Sequence, residues 1–238
     1  MADIKREITD YWTGRVEKFE QLRLDELNSD KRRRWLDELR SHLPQGRKLS
    51  ILDIGTGTGF FAFILMAEGH WVTGIDLTPE MINGARRTSV VLDMYPSFKV
   101  MDAEAPTFAP DSFDAIVTRN LTTFLPNLQT AYRRWHGLLR DGGVLINFDG
   151  DYYFDHSEAP LPADHAHKAL SADQNAAYAH ISDEMRAIQK QRPAWDLELL
   201  AQAGFRDIRV DYTVSERIYR EIDRFYNPTP LFCITAQK

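Results

Sequence analysis

The chain has 238 residues, 43% of them hydrophobic and 27% charged, which is enough to bury a core unaided and too apolar for disorder as the main state. A formal net charge of −6 argues against a binder of duplex nucleic acid, which carries a basic footprint. One cysteine, Cys233, excludes an intrachain disulfide and suits a reducing compartment.

Residues 1–49 read as polar helices. Leu22, Leu24, Leu27, Trp35, Leu36, Leu39 and Leu43 recur at helical spacing, and Pro44-Gln45-Gly46 ends the region. From residue 50 the period changes. Strands are expected at 50–55, 71–76, 98–103, 113–120 and 143–149, with helices at 60–69, 79–95 and 128–139 between them. Apolar strands alternating with helices imply a parallel sheet covered on both faces. Residues 150–192 break that rhythm and hold a helix from about 172 to 190. A further helix at 192–205 and strands at 205–214 and 231–238 complete the reading.

The most informative stretch is ILDIGTGTGF, residues 51–60. Gly55, Gly57 and Gly59 lie between a strand and a helix, where a turn brings backbone close to a ligand. The spacing is G-x-G-x-G, and Phe60 stands where a dinucleotide fingerprint needs its third glycine. Asp53, two residues ahead of the turn, suits a cationic ligand better than a pyrophosphate.

This segment resembles the first motif of the class I S-adenosylmethionine-dependent methyltransferases. The resemblance continues in order through GIDLTPEM (74–81), MDAEAPTFAPDSFDAIV (101–117) and WHGLLRDGGVLINFD (135–149). It implies an α/β fold: a doubly wound, seven-stranded, mostly parallel sheet in the order 3-2-1-4-5-7-6, its last strand antiparallel. It also implies S-adenosylmethionine as cofactor, with S-adenosylhomocysteine as product, and a small-molecule acceptor as partner. Asp76 would hold the ribose hydroxyls. Leu77, Met81, Asp102 and Ala103 would lie along the adenine. Gly55, Thr56, Gly57 and Gly59 would give room and N–H donors to the methionyl carboxylate. Asp53 would either order the loop or approach the ammonium group. Tyr11 and Arg15, in the similar segment TDYWTGRVEKFE (9–20), would close over the cofactor, and Arg119 and Asn120 follow the fourth strand at its edge.

The single domain then divides into a helical cap (1–49), a cofactor-binding half (50–149), an acceptor lid (150–192) and a C-terminal helix and strands (193–238). The lid holds the candidate catalytic groups Tyr152, Tyr153 and His156, whose polar side chains bind an acceptor or take its proton. An NAD-dependent oxidoreductase and a non-catalytic cofactor-binding module are the alternative readings. Lys31-Arg32-Arg33-Arg34 reads as a solvated helix face. His165-Ala166-His167 lacks the companions of a metal site, so no metal is expected. The longest apolar run, Phe60–Ala67, is far short of the roughly 20 residues that cross a bilayer, and residues 1–20 carry no secretory pattern. A cytoplasmic location is expected, with no membrane partner; the oligomeric state is left open.

Overall fold

The computed structural model describes residues 2–154, 161–165 and 170–238. Three helices open the chain: α1 (Ala2–Thr13), α2 (Val16–Leu27) and α3 (Lys31–His42). Strands and helices then alternate as β1 (Ser50–Ile54), α4 (Phe60–Ala67), β2 (Trp71–Asp76), α5 (Pro79–Leu92), β3 (Ser97–Val100), β4 (Phe113–Arg119), α6 (Leu128–Leu138) and β5 (Leu139–Gly150). Helices α7 (Ala172–Ile188) and α8 (Ala194–Ala203), strand β6 (Arg206–Asp211), the short α9 (Val214–Ile218) and β7 (Leu231–Gln237) follow. The seven strands form one sheet in the order 3-2-1-4-5-7-6. β1 to β5 run parallel, whereas β7 pairs antiparallel with both β5 and β6.

The expected sheet is therefore present, with differences at its ends. β5 starts at Leu139, through the Asp141-Gly142-Gly143 stretch read as a helix stop, and its pairing with β4 shifts register between Phe113 and Ala115. The strand expected over 205–214 stops at Asp211, and α9 follows it. Among the described residues no helix is long and apolar enough to cross a membrane.

Both faces of the sheet are covered, which is why β1 and β4 are apolar almost throughout. One face packs Trp35, Phe61 and Ile64 from α3 and α4. The other packs Tyr132, Trp135 and Leu200 from α6 and α8. A third cluster joins α1 to α7 through Ile8, Tyr11, Ile181 and Met185, with Tyr153 inside it.

Two ionic clusters are among the contacts that fix the N-terminal helices. Lys31 is buried, not solvated: its ammonium lies 2.7 Å from Asp223 and 3.3 Å from Glu221, while Arg32 and Arg33 face solvent. Arg34 joins it on Glu221 at 2.8 Å. The second cluster centres on Glu26, which is wholly buried. Its carboxylate accepts from Trp35 Nε1 at 3.1 Å, from both terminal nitrogens of Arg119 at 3.1 and 3.3 Å, and from Arg23. Burial alone would raise its pKa, but Arg119 and Arg23 outweigh burial and hold it at about 2. Removing one partner of such a cluster strands the remaining charges in a poorly solvating interior. Glu26→Ala is therefore expected to lose about 3–5 kcal/mol of stability, measured by urea denaturation near neutral pH. A loss below 1 kcal/mol would show that the two arginines find solvent without it.

Candidate active site

The strands β1, β2 and β4 end side by side where the strand order reverses, the usual place for a ligand in an open α/β sheet. A cavity of about 550 Å³ opens there. Its floor is the turn after β1. Gly55 has a φ of +69° and Gly57 one of +53°, conformations that favour glycine. A Cβ on Gly55 would stand 2.8 Å from the Leu121 side chain. Gly59 does not line the cavity; it starts α4 against Phe63 and Phe98.

The turn is closed against β2. The N–H groups of Gly55 and Thr56 both donate to Ile75 O, at 2.8 and 2.9 Å, and Gly59 N–H donates to Thr56 O. Gly57 N–H donates to Asp76 Oδ2 at 2.9 Å, and Thr78 N–H to Asp76 Oδ1 at 2.9 Å. These four loop amides are spent within the protein. A carboxylate at this turn would meet amides already bonded, and Arg15, from the turn after α1, is the cation at the same cavity that can take that role.

Two carboxyls titrate abnormally here. Asp76 is pushed up by burial, against the pull of the Thr78 and Gly57 amides. Asp53 is buried, accepts the Thr56 hydroxyl at 2.6 Å, and is raised to about 7 chiefly by desolvation, which that bond and Arg119 only partly offset. A buried acid held near neutrality suits a site built to receive a positive group.

The remaining expected positions fall as follows. Leu77, Met81 and Ala103 line the cavity with Asp102, whose Oδ2 meets Lys5 at 2.7 Å and whose Oδ1 accepts Glu104 N–H at 2.8 Å. Tyr11 accepts from Arg15 Nη1 at 2.7 Å, and both face the cavity from α1 and the turn that follows it. Arg119 lines it too, its guanidinium on Glu26 and stacked over Phe60 at 4.4 Å. Asn120, with a φ of +55°, accepts the Tyr152 hydroxyl at 3.0 Å, and Asn227 Nδ2 donates to that hydroxyl at 2.6 Å.

The catalytic candidates separate. Tyr152 lines the cavity with its hydroxyl pushed well above the usual phenol range by burial, and that hydroxyl donates to Asn120 and accepts from Asn227. Tyr153 is packed in the α1–α7 cluster, away from the cavity lining. His156 lies outside the described residues, as does His167. His165 donates from Nε2 to Tyr226 O at 2.7 Å. Among the described residues no cluster of three His, Cys, Asp or Glu side chains is arranged for a metal ion.

Sequence reasoning missed Arg23 and the segment from 219 to 229, which walls the cavity with Tyr219, Tyr226 and Asn227. Arg23 stands four residues after Phe19 and eight after Arg15, on one helix face. An apolar-periodicity search passes over it because it is charged.

Comparison with known proteins agrees with this architecture. Residues 52–147 match the family model of a methyltransferase domain. Malonyl-(acyl-carrier protein) O-methyltransferase of Erwinia pyrifoliae is 33% identical over 110 residues, 46% of this chain and 40% of that protein; the match thus spans about two fifths of the curated relative's length. Among solved structures, phosphoethanolamine N-methyltransferase 2 of Haemonchus contortus, in complex with phosphomonomethylethanolamine and S-adenosylhomocysteine, superposes with a TM-score of 0.60 at 19% identity, over 85% of this chain and 52% of that one. An S-adenosylmethionine-dependent methyltransferase from Mesorhizobium loti gives 0.61 at 19% identity, over 85% and 96%. Residues 52–147 thus carry the match to a methyltransferase domain, and the chain shares the fold of these solved structures.

The raised Asp53 carboxyl has a measurable signature. Between about pH 4, where an unfolded aspartate ionises, and about 7, the folded protein holds a proton that the unfolded chain has lost. Stability from this group therefore falls as pH rises through that window and levels off above it. Asp53→Asn should remove the slope, so the unliganded variant gains on the native protein from pH 5 to 7, reaching about 2–4 kcal/mol at pH 8. Urea titrations at four pH values test this; parallel curves would show that Asp53 ionises normally.

Proposed function

We propose that the protein transfers a methyl group from S-adenosylmethionine to a small-molecule acceptor. The observation that carries this reading is Asp76. Its two oxygens are each fixed by one backbone amide at the end of β2, and each keeps a lone pair for one of two vicinal ribose hydroxyls. The cavity around it fits the rest of the cofactor. Leu77, Met81 and Ala103 give an apolar slot for adenine, Asp53 faces the ammonium group, and Arg15 offers the carboxylate a planar partner.

Bound there, the cofactor supplies a methyl group made electrophilic by its sulfonium. The protein's own part is positioning. Asn120, Tyr152 and Asn227 form one hydrogen-bonded row in the cavity lining and fix that wall. Helices α1 and α7 cover the opening with Tyr11, Trp12 and Tyr178, which keeps water from the methyl group. The part of 150–192 that is described thus serves as the lid, together with α1. Alignment of an acceptor with the S–CH₃ bond supplies up to roughly 7–11 kcal/mol without side-chain chemistry.

Two measurements test the reading. Isothermal calorimetry should find S-adenosylhomocysteine bound and NAD not bound, and Asp76→Ala should weaken the former by about tenfold or more, the loss of charge-assisted hydrogen bonds worth ~1.5–3 kcal/mol each. An unchanged affinity in a folded variant would remove Asp76 from the site. Transfer of label from methyl-labelled cofactor into extract small molecules would separate an enzyme from a module that only holds the cofactor.

A further inference from the structure

Around Arg23 and Arg119 the cavity carries more positive charge than the described residues neutralise. Glu26 is the one carboxylate hydrogen-bonded by both Arg23 and Arg119. Arg119 uses two nitrogens on it. Arg23 spends only Nη1 there, and its buried Nε has no hydrogen-bond partner among the described residues. Asp53, which also acts on Arg119, is pushed up to about 7 by burial and so offsets the two arginines only in part. Arg23 lines the cavity, stacked on Phe19 at 4.5 Å. It stands beside Arg119, at the end of β4, through their shared Glu26, and near Phe60, whereas Asp76 and Asp102 follow β2 and β3. The cofactor brings one carboxylate, and Arg15 with Tyr11 already forms a separate cationic spot for it.

We propose that Arg23 recognises a carboxylate on the methyl acceptor, so that the substrates are small organic acids. The aromatic lining of the same wall, Tyr152, Tyr219, Phe225 and Tyr226, suits an apolar or planar body behind that carboxylate. A guanidinium holding a free N–H edge in a water-poor cavity is a strong and geometrically selective carboxylate partner. A neutral acceptor of the same shape would leave it unpaired.

This inference rests on the cofactor reading above, and the experiment separates the two. The protein is first saturated with S-adenosylhomocysteine, so that the cofactor's own carboxylate site is filled; failure at this step sinks the methyltransferase reading. Calorimetry then compares benzoate and 3-phenylpropionate with benzamide and 3-phenylpropionamide. The acids should bind about tenfold or more tightly than their amides. Arg23→Gln should abolish the preference while leaving the S-adenosylhomocysteine affinity within a few-fold, and Arg23→Lys should keep part of it. Equal affinities for acid and amide, or no binding by any of the four, overturn the proposal, and this native-protein comparison stands even if a variant fails to fold. A preference that survives Arg23→Gln also overturns it. So does a tenfold loss of S-adenosylhomocysteine binding in Arg23→Gln, which would make Arg23 the cofactor's anchor.

Discussion

The site rests on the closure of the glycine turn against β2. Four hydrogen bonds hold it: two amides on Ile75 O, one on Thr56 O and one on the Asp76 carboxylate. A turn tied in this way needs no ligand to take its shape, so little ordering entropy is left to be spent on binding. The tie also sets the division of labour. Backbone at this turn provides shape, and side chains provide charge. Asp76 has both duties, since the oxygens that close the turn are those that face the cavity.

Charge is distributed unevenly around that frame. Acids sit toward β2 and β3, where Asp102 is shared with Lys5. Arginines sit toward α2 and β4, where two of them share Glu26. Arg23 is lowered from its usual range by burial and then by Arg119, while Asp53 is raised. Both shifts say that the unliganded cavity solvates charge poorly. A cationic group at Asp53 and an anionic one at Arg23 would each relieve its partner, which couples stability to occupancy.

The sheet was legible because its information is local. Parallel strands buried on both faces are short apolar runs, and Gly or Pro punctuates them. The cofactor-side positions were legible for the same reason: Asp53, Gly55, Gly57 and Asp76 stand at fixed offsets from strand ends. What was not legible depends on residues far apart in sequence. Lys31 reads as part of a basic solvated run until Asp223 and Glu221 arrive beside it. Tyr153 looks like Tyr152 in sequence, yet the turn that follows β5 sends one ring to the cavity and the other into the α1–α7 cluster. Asp149, at the polar end of a strand, is buried beneath Thr122 and Thr123 and bonds both, its carboxylate paired with Arg192. The wall from 219 to 229 has no periodicity to detect, since its aromatic residues point into a space that other elements enclose.

The placement of β7 has a consequence for the order in which the molecule is made. β7 lies between β5 and β6, so the sheet stays split until residues 231–237 leave the ribosome. The helices synthesised first wait as well: Lys31 finds its partners 190 and 192 positions later. Until then the apolar edge of β5 is open, and an open strand edge is a template for mispairing. Folding here is a late, sequence-distant event with a high contact order, and a slow one. The nascent protein is thus most exposed to association with other chains until residues 231–237 emerge, and chaperone demand should concentrate in that interval.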